Sequence, residues 1–147
     1  MHFYGSILVG APPADVFALL AEVQDHAVGP GSPVTAMEKI PPGPTRVGTR
    51  WREVVSVTPG LTLEVWSGVT RLEPDRRLEE RFWGSGMRGT LVYSLTPSGR
   101  GCLLRQQESM QTEGALRLIG LPWGWMLRWR LVGRLREIRD AVEDGTG

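Results

Sequence analysis

Apolar residues recur at every second position through most of the chain, and at every third or fourth position in two segments. In Ala115–Val142, Leu127, Leu131, Leu135, Ile138 and Val142 fall three or four residues apart, which lays them on one stripe of an α-helix. Arg130, Arg134, Glu137 and Asp140 fall off the stripe. Arg136–Asp140 and Arg139–Glu143 are spaced as i,i+4 ion pairs. The helix is predicted to stop near Asp144, before Gly145 and Gly147, and Pro122 either kinks it or sits in the first turn of a second helix. A shorter amphipathic helix is predicted over Pro13–Val23. Proline suits its first turn, Asp15 there suits the helix dipole, and Val16, Leu19, Leu20 and Val23 have helical spacing.

Between these helices the period shortens to two. Strands are predicted over His2–Val9, Val34–Ile40, Gly48–Val57, Leu61–Leu72, Arg77–Trp83, Met87–Leu95 and Gly101–Gln111. The last six are joined by breakers such as Pro41-Pro42-Gly43-Pro44, Pro59-Gly60, Pro74-Asp75 and Pro97-Ser98-Gly99. Consecutive strands on short turns make an antiparallel meander. The expected class is therefore α+β: a curved sheet of about seven strands around a long C-terminal helix, in one domain. Such a sheet can leave a ligand-sized cavity between its concave face and the helix.

Alternation predicts the face each side chain takes. Trp51, Glu53, Val55 and Val57 share one face, as do Leu78, Glu80 and Phe82. Leu91, Tyr93 and Leu95 share another, as do Cys102, Leu104, Gln106, Glu108 and Met110. In Leu61–Leu72, Leu63, Val65 and Val69 oppose Trp66 and Thr70, and alternation alone does not decide which set is inside. The candidate ligand wall is Trp51, Glu53, Val55, Phe82, Leu91, Tyr93, Gln106 and Glu108 from the strands, with Leu127 and Leu131 from the helix. Glu53 and Glu108 are either cavity carboxylates able to move a proton, or surface groups turned out by a bulge or paired with Arg81 or Arg105. Tyr93 is either a hydrogen-bond donor to a ligand or a satisfied core residue.

Composition narrows the classes. A chain of 147 residues with net charge +1 and pI about 8.0 has no bulk attraction for nucleic acid. One cysteine, Cys102, excludes an internal disulfide and a cysteine-based metal cage; its expected role is that of a small buried hydrophobe. His2 and His26 are the only histidines, with no further ligands at metal-binding spacing, so neither a metal nor a cofactor is expected. No leader and no 18-residue apolar run is visible, which makes the cytoplasm the default compartment and membrane insertion unexpected. Lys39 is the single lysine beside 16 arginines, a bias we read as codon composition. Trp125 and Trp129, bordered by Arg128, Arg130 and Arg136, form a face that is either covered by preceding loops or, as an exposed patch with a basic rim, suited to a homodimer contact or a membrane surface.

Together the segments Ile7–Phe17, Gly43–Arg50, Leu72–Leu78 and Tyr93–Leu104, with the closing helix, resemble the SRPBCC or START-like helix-grip superfamily, including its polyketide cyclase/dehydratase branch. The resemblance covers nearly the whole chain and implies the fold, though this fold hosts many activities. The expected function is binding of a small hydrophobic molecule of polyketide, lipid or isoprenoid type. A cyclase/dehydratase-type enzyme using Glu53, Glu108 or Tyr93 is the alternative, and a protein-interaction module through the Trp125/Trp129 face a third.

Overall fold

A computed structural model describes residues 2–22, 25, 28, 32–84, 86–113 and 135–144. Strand β1 (His2–Val9) is followed by helix α1 (Pro13–Glu22). Six strands come next: β2 (Val34–Ile40), β3 (Arg50–Thr58), β4 (Leu61–Glu73), β5 (Arg77–Gly84), β6 (Met87–Ser98) and β7 (Gly101–Thr112). Residues 135–144 form a C-terminal helix, α2. All seven strands lie in one antiparallel sheet of order β1-β7-β6-β5-β4-β3-β2. The meander accounts for β2 to β7 in sequence order, and β1 returns to pair with β7.

The turn residues work as their chemistry requires. Gly60 closes the β3–β4 hairpin at φ 88°, a backbone conformation that disfavours any Cβ. Between β4 and β5 the same region is taken by Asp75 at φ 63°, a residue type that tolerates it. A register shift between Val69 and Arg71 marks a bulge in β4. Such bulges bend and twist a strand, consistent with the curvature of the sheet.

The open face of β4 is settled by burial. Leu63 and Val69 are buried, whereas Glu64 and Thr70 are exposed. Trp66 lies on the outer face and stacks on Trp83, with ring centroids 6.5 Å apart and planes at 11°.

The core gathers at one end of the sheet. Val16, Phe17 and Leu20 of α1 and Leu135, Ile138 and Val142 of α2 join Trp51, Val69, Leu78, Leu91, Tyr93, Leu95, Cys102 and Leu104 in one buried cluster. The predicted helical stripe is thus observed over its described half. At Gly5 a Cβ would stand 2.9 Å from Leu135 Cδ1, so glycine in β1 is what lets α2 come this close. A smaller cluster at the other end centres on Leu63 and Met110, with half-buried Phe3, Val65, Phe82 and Met87 against it.

Among the described residues, the contacts of the last helix differ from the expected i,i+4 ion pairs. Arg139 Nε donates to Asp140 Oδ1 at 3.1 Å, and Glu143 Oε1 accepts the backbone N–H of Gly10 at 2.9 Å. An exposed i,i+4 pair gains a few tenths of a kcal/mol. Capping the free donor just after β1 is a charge-assisted bond and outcompetes it. The expectations for Leu127, Leu131, Pro122, Trp125, Trp129 and His26 lie outside the described residues.

Candidate functional site

The concave face is built in rows that run across the strands, fixed by the pairing register. One row runs Leu78, Tyr93, Gln106, Gly5. The next runs Val69, Glu80, Leu91, Glu108, Phe3. A third runs Lys39, Trp51, Ser67, Phe82, Gly89, Met110. A fourth begins Met37, Glu53, Val65. Every strand residue named from alternation as a candidate wall position falls on this face.

The rows differ in how deeply they are sealed. Trp51 and Tyr93 are each 1% exposed, and Leu91 is buried as well. Glu53, Val55, Phe82 and Glu108 are half-buried. Between the two apolar clusters runs a polar band: buried Glu80, Gln106 and Ser67 with half-buried Glu108.

Glu53 and Glu108 are not neighbours in the pairing register of the sheet. Four inter-strand steps separate β3 from β7, about 19 Å measured along the sheet at the usual spacing. Glu80 and Glu108 instead flank Leu91 in one row, with Tyr93 one row away. Alternation found the face, and Glu80 with it, but only the register shows which carboxylates are neighbours.

Gln106 is the anomaly of the band. It is 2% exposed, and among the described residues neither its Oε1 nor its Nε2 has a hydrogen-bond partner. A buried polar group left unmatched costs about 1–3 kcal/mol, so native interiors hold few.

A second constellation, missed in the sequence, closes the face at β2. Lys39 Nζ bonds Asp25 Oδ2 at 2.9 Å and Glu22 Oε2 at 3.4 Å, with the lysine side chain 11% exposed. Its ammonium also lies 5.7 Å from the centroid of the Trp51 ring. Trp51 Nε1 donates to Asp25 Oδ1 at 3.2 Å. Burial alone would raise the Asp25 carboxyl, but hydrogen bonding with Glu22, Lys39 and Trp51 outweighs it and holds the group below its ordinary 3.8. A lowered carboxylate contributes stability that is fully present above the unfolded value and lost as pH falls through the folded one. Asp25→Asn should therefore weaken the protein at neutral pH and flatten its loss of stability below pH 3.8, read as Tm against pH. An unchanged acid limb would remove Asp25 from the account.

Burial pushes the Cys102 thiol up, against a smaller opposing effect of the Thr96 backbone. The side chain is 0% exposed and joins the core, as a small hydrophobe does. Among the described residues no group of three or more His, Cys, Asp and Glu side chains could hold a metal ion. No helix among them is long and apolar enough to cross a membrane. On the opposite face of the sheet, a groove of about 360 Å³ is lined by Tyr4, Thr90, Val92 and Gln107 among others.

Solved structures share this arrangement end to end. The Thermus thermophilus protein TTHA0849 superimposes with TM-score 0.79 at 14% identity, covering 100% of both chains. The crystal structure of Ara h 8.0201 gives TM-score 0.75 at 15% identity over 98% of each chain. A Thalictrum flavum norcoclaurine synthase point mutant, in complex with a transition state analogue, gives 0.74 at 12% identity over 100% of this chain and 96% of its own. The chain has the helix-grip fold. No protein-family model matches the sequence, and no curated protein matches it either. In helix-grip terms, the grip here is the contact of Leu135, Ile138 and Val142 with the core end of the sheet. The Lys39–Asp25–Trp51 constellation ties the segment after α1 to the opposite sheet edge.

Proposed function

We propose that this protein binds a small hydrophobic molecule of polyketide, lipid or isoprenoid type on the concave face of its sheet, in the cytoplasm. One observation supports this above the others. The face divides into a sealed core end and a less sealed apolar end, where Phe3, Val65, Phe82 and Met87 are only half-buried. Half-buried aromatic and aliphatic side chains beside a few polar groups are the usual lining of a small-molecule site. Titration with the uncharged dye N-phenyl-1-naphthylamine should show saturable one-to-one binding. Val65→Trp, which fills the open end, should abolish that binding while leaving the unfolding transition cooperative. Unsaturable binding, or equal binding to the variant, would sink the proposal.

A catalytic reading draws on a different observation: Glu80 and Glu108 flank Leu91, with Tyr93 in the neighbouring row. On that reading the chain is a cyclase/dehydratase-type enzyme, with Glu108, Tyr93 or the more distant Glu53 moving protons on a bound polyketide. Glu108→Gln would then lower turnover and spare dye binding, whereas a pure binder has no turnover to lose.

A further inference from the structure

Gln106 sits in the middle of β7, between Gly5 of β1 and Tyr93 of β6. Gly5 offers no side chain, and its place is overhung by Leu135. Leu104, two residues back on the same face, is fully buried and apolar. Neither Leu135 nor Leu104 can pair with the amide, and among the described residues its oxygen and its nitrogen are both unmatched. Leucine there would fill much the same space without desolvating a polar group.

We infer that Gln106 is the recognition group for a neutral ligand edge that carries a hydrogen-bond donor beside an acceptor. This rests on the binding reading above and narrows its ligand class. A primary amide presents one C=O acceptor next to N–H donors. Its complement is the reverse pair at similar spacing, as in a cis-lactam or an α-hydroxy ketone. An ionised carboxylate does not fit, because it supplies acceptors alone and leaves Oε1 facing negative charge. The apolar body of such a ligand would rest toward Phe82 and Met110, on the same face. Discrimination by a buried hydrogen-bonding group against a ligand lacking the complement is characteristically large, since the protein group is then left unpaired.

The test uses 2-quinolone and N-methyl-2-quinolone, two planar probes that differ in the N–H donor, with the uncharged dye N-phenyl-1-naphthylamine as a general apolar probe. Calorimetry on the full chain should show 2-quinolone bound at least tenfold more tightly than its N-methyl analogue. Gln106→Leu should erase that preference and raise Tm, because it removes an unmatched buried amide. A wild-type preference below threefold, or one that survives in Gln106→Leu, overturns the inference. If the dye binds and neither quinolone does, the inference fails and the binding reading stands. If none of the three binds, both fail.

Discussion

Trp51→Ala should destabilise the protein by about 3–5 kcal/mol in urea unfolding, the usual cost of truncating a large buried aromatic. The side chain is 1% exposed and belongs to the main cluster with Val69 and Leu78. It also carries a polar load. Its indole N–H is one of the groups that hold the Asp25 carboxylate, and its ring lies beside the Lys39 ammonium. Removing it leaves a cavity and takes one donor from a partly buried carboxylate. Trp51→Phe separates the two effects. Phenylalanine keeps most of the ring and gives up the N–H, so its cost should fall nearer the roughly 0.5–1.5 kcal/mol of a typical hydrogen bond plus a small volume term. If both variants cost the same, the hydrogen bond would be the larger effect and the buried ring would matter little.

Trp51 also marks where the sequence stops being readable. Its face could be read from alternation, because Arg50 and Arg52 bracket it. Its partners could not. Asp25 is 26 residues away and Lys39 is 12, and nothing local couples them. The one available signal was that Lys39 is the single lysine of an arginine-rich chain, and it falls on the inner face of β2 with Met37. The helical stripe at Leu135, Ile138 and Val142 was legible because a period of about 3.6 is a local property of the chain. Strand β4 was ambiguous for the opposite reason. Val65 and Trp66 are both apolar, so one of two plausible faces had to be chosen by tertiary pairing, and Trp66 went outward to stack on Trp83. Which carboxylates are neighbours was hidden for the same reason. Alternation assigns Glu53, Glu80 and Glu108 to one face, while the distance between them depends on strand order and register. Gln106 was visible as a polar exception on an apolar face; that its amide is unmatched depends on Gly5 and Leu135, more than 100 residues apart in sequence.

Gly89→Ala should lower stability by roughly 1–3 kcal/mol, the range for overpacking a tight interior, and it should do so while Gly68→Ala does not. Both glycines lie inside strands of the same sheet. At Gly89 an added Cβ would sit 2.0 Å from the Ser109 carbonyl oxygen and 2.5 Å from Phe82 Cζ. Backbone of β7 cannot yield without loosening its pairing with β6, and the Phe82 ring would have to move toward the other cluster. At Gly68 the nearest atoms are Arg50 Cγ at 3.4 Å and the Trp83 ring at 3.6 Å, ordinary contacts with side chains that can adjust. Alanine there mainly restricts the unfolded chain, which favours folding by about 0.4–1 kcal/mol where the backbone tolerates it. The two variants share that unfolded-state gain, so the difference in their unfolding free energies isolates the clash. It should also appear locally, as faster amide exchange in β6 and β7 of the Gly89 variant than in β3 and β4. Because Phe82 is part of the less sealed end of the face, Gly89→Ala should weaken dye binding as well. A Gly89 variant as stable as the Gly68 variant would mean that β6 and β7 are further apart at this point than the structure places them.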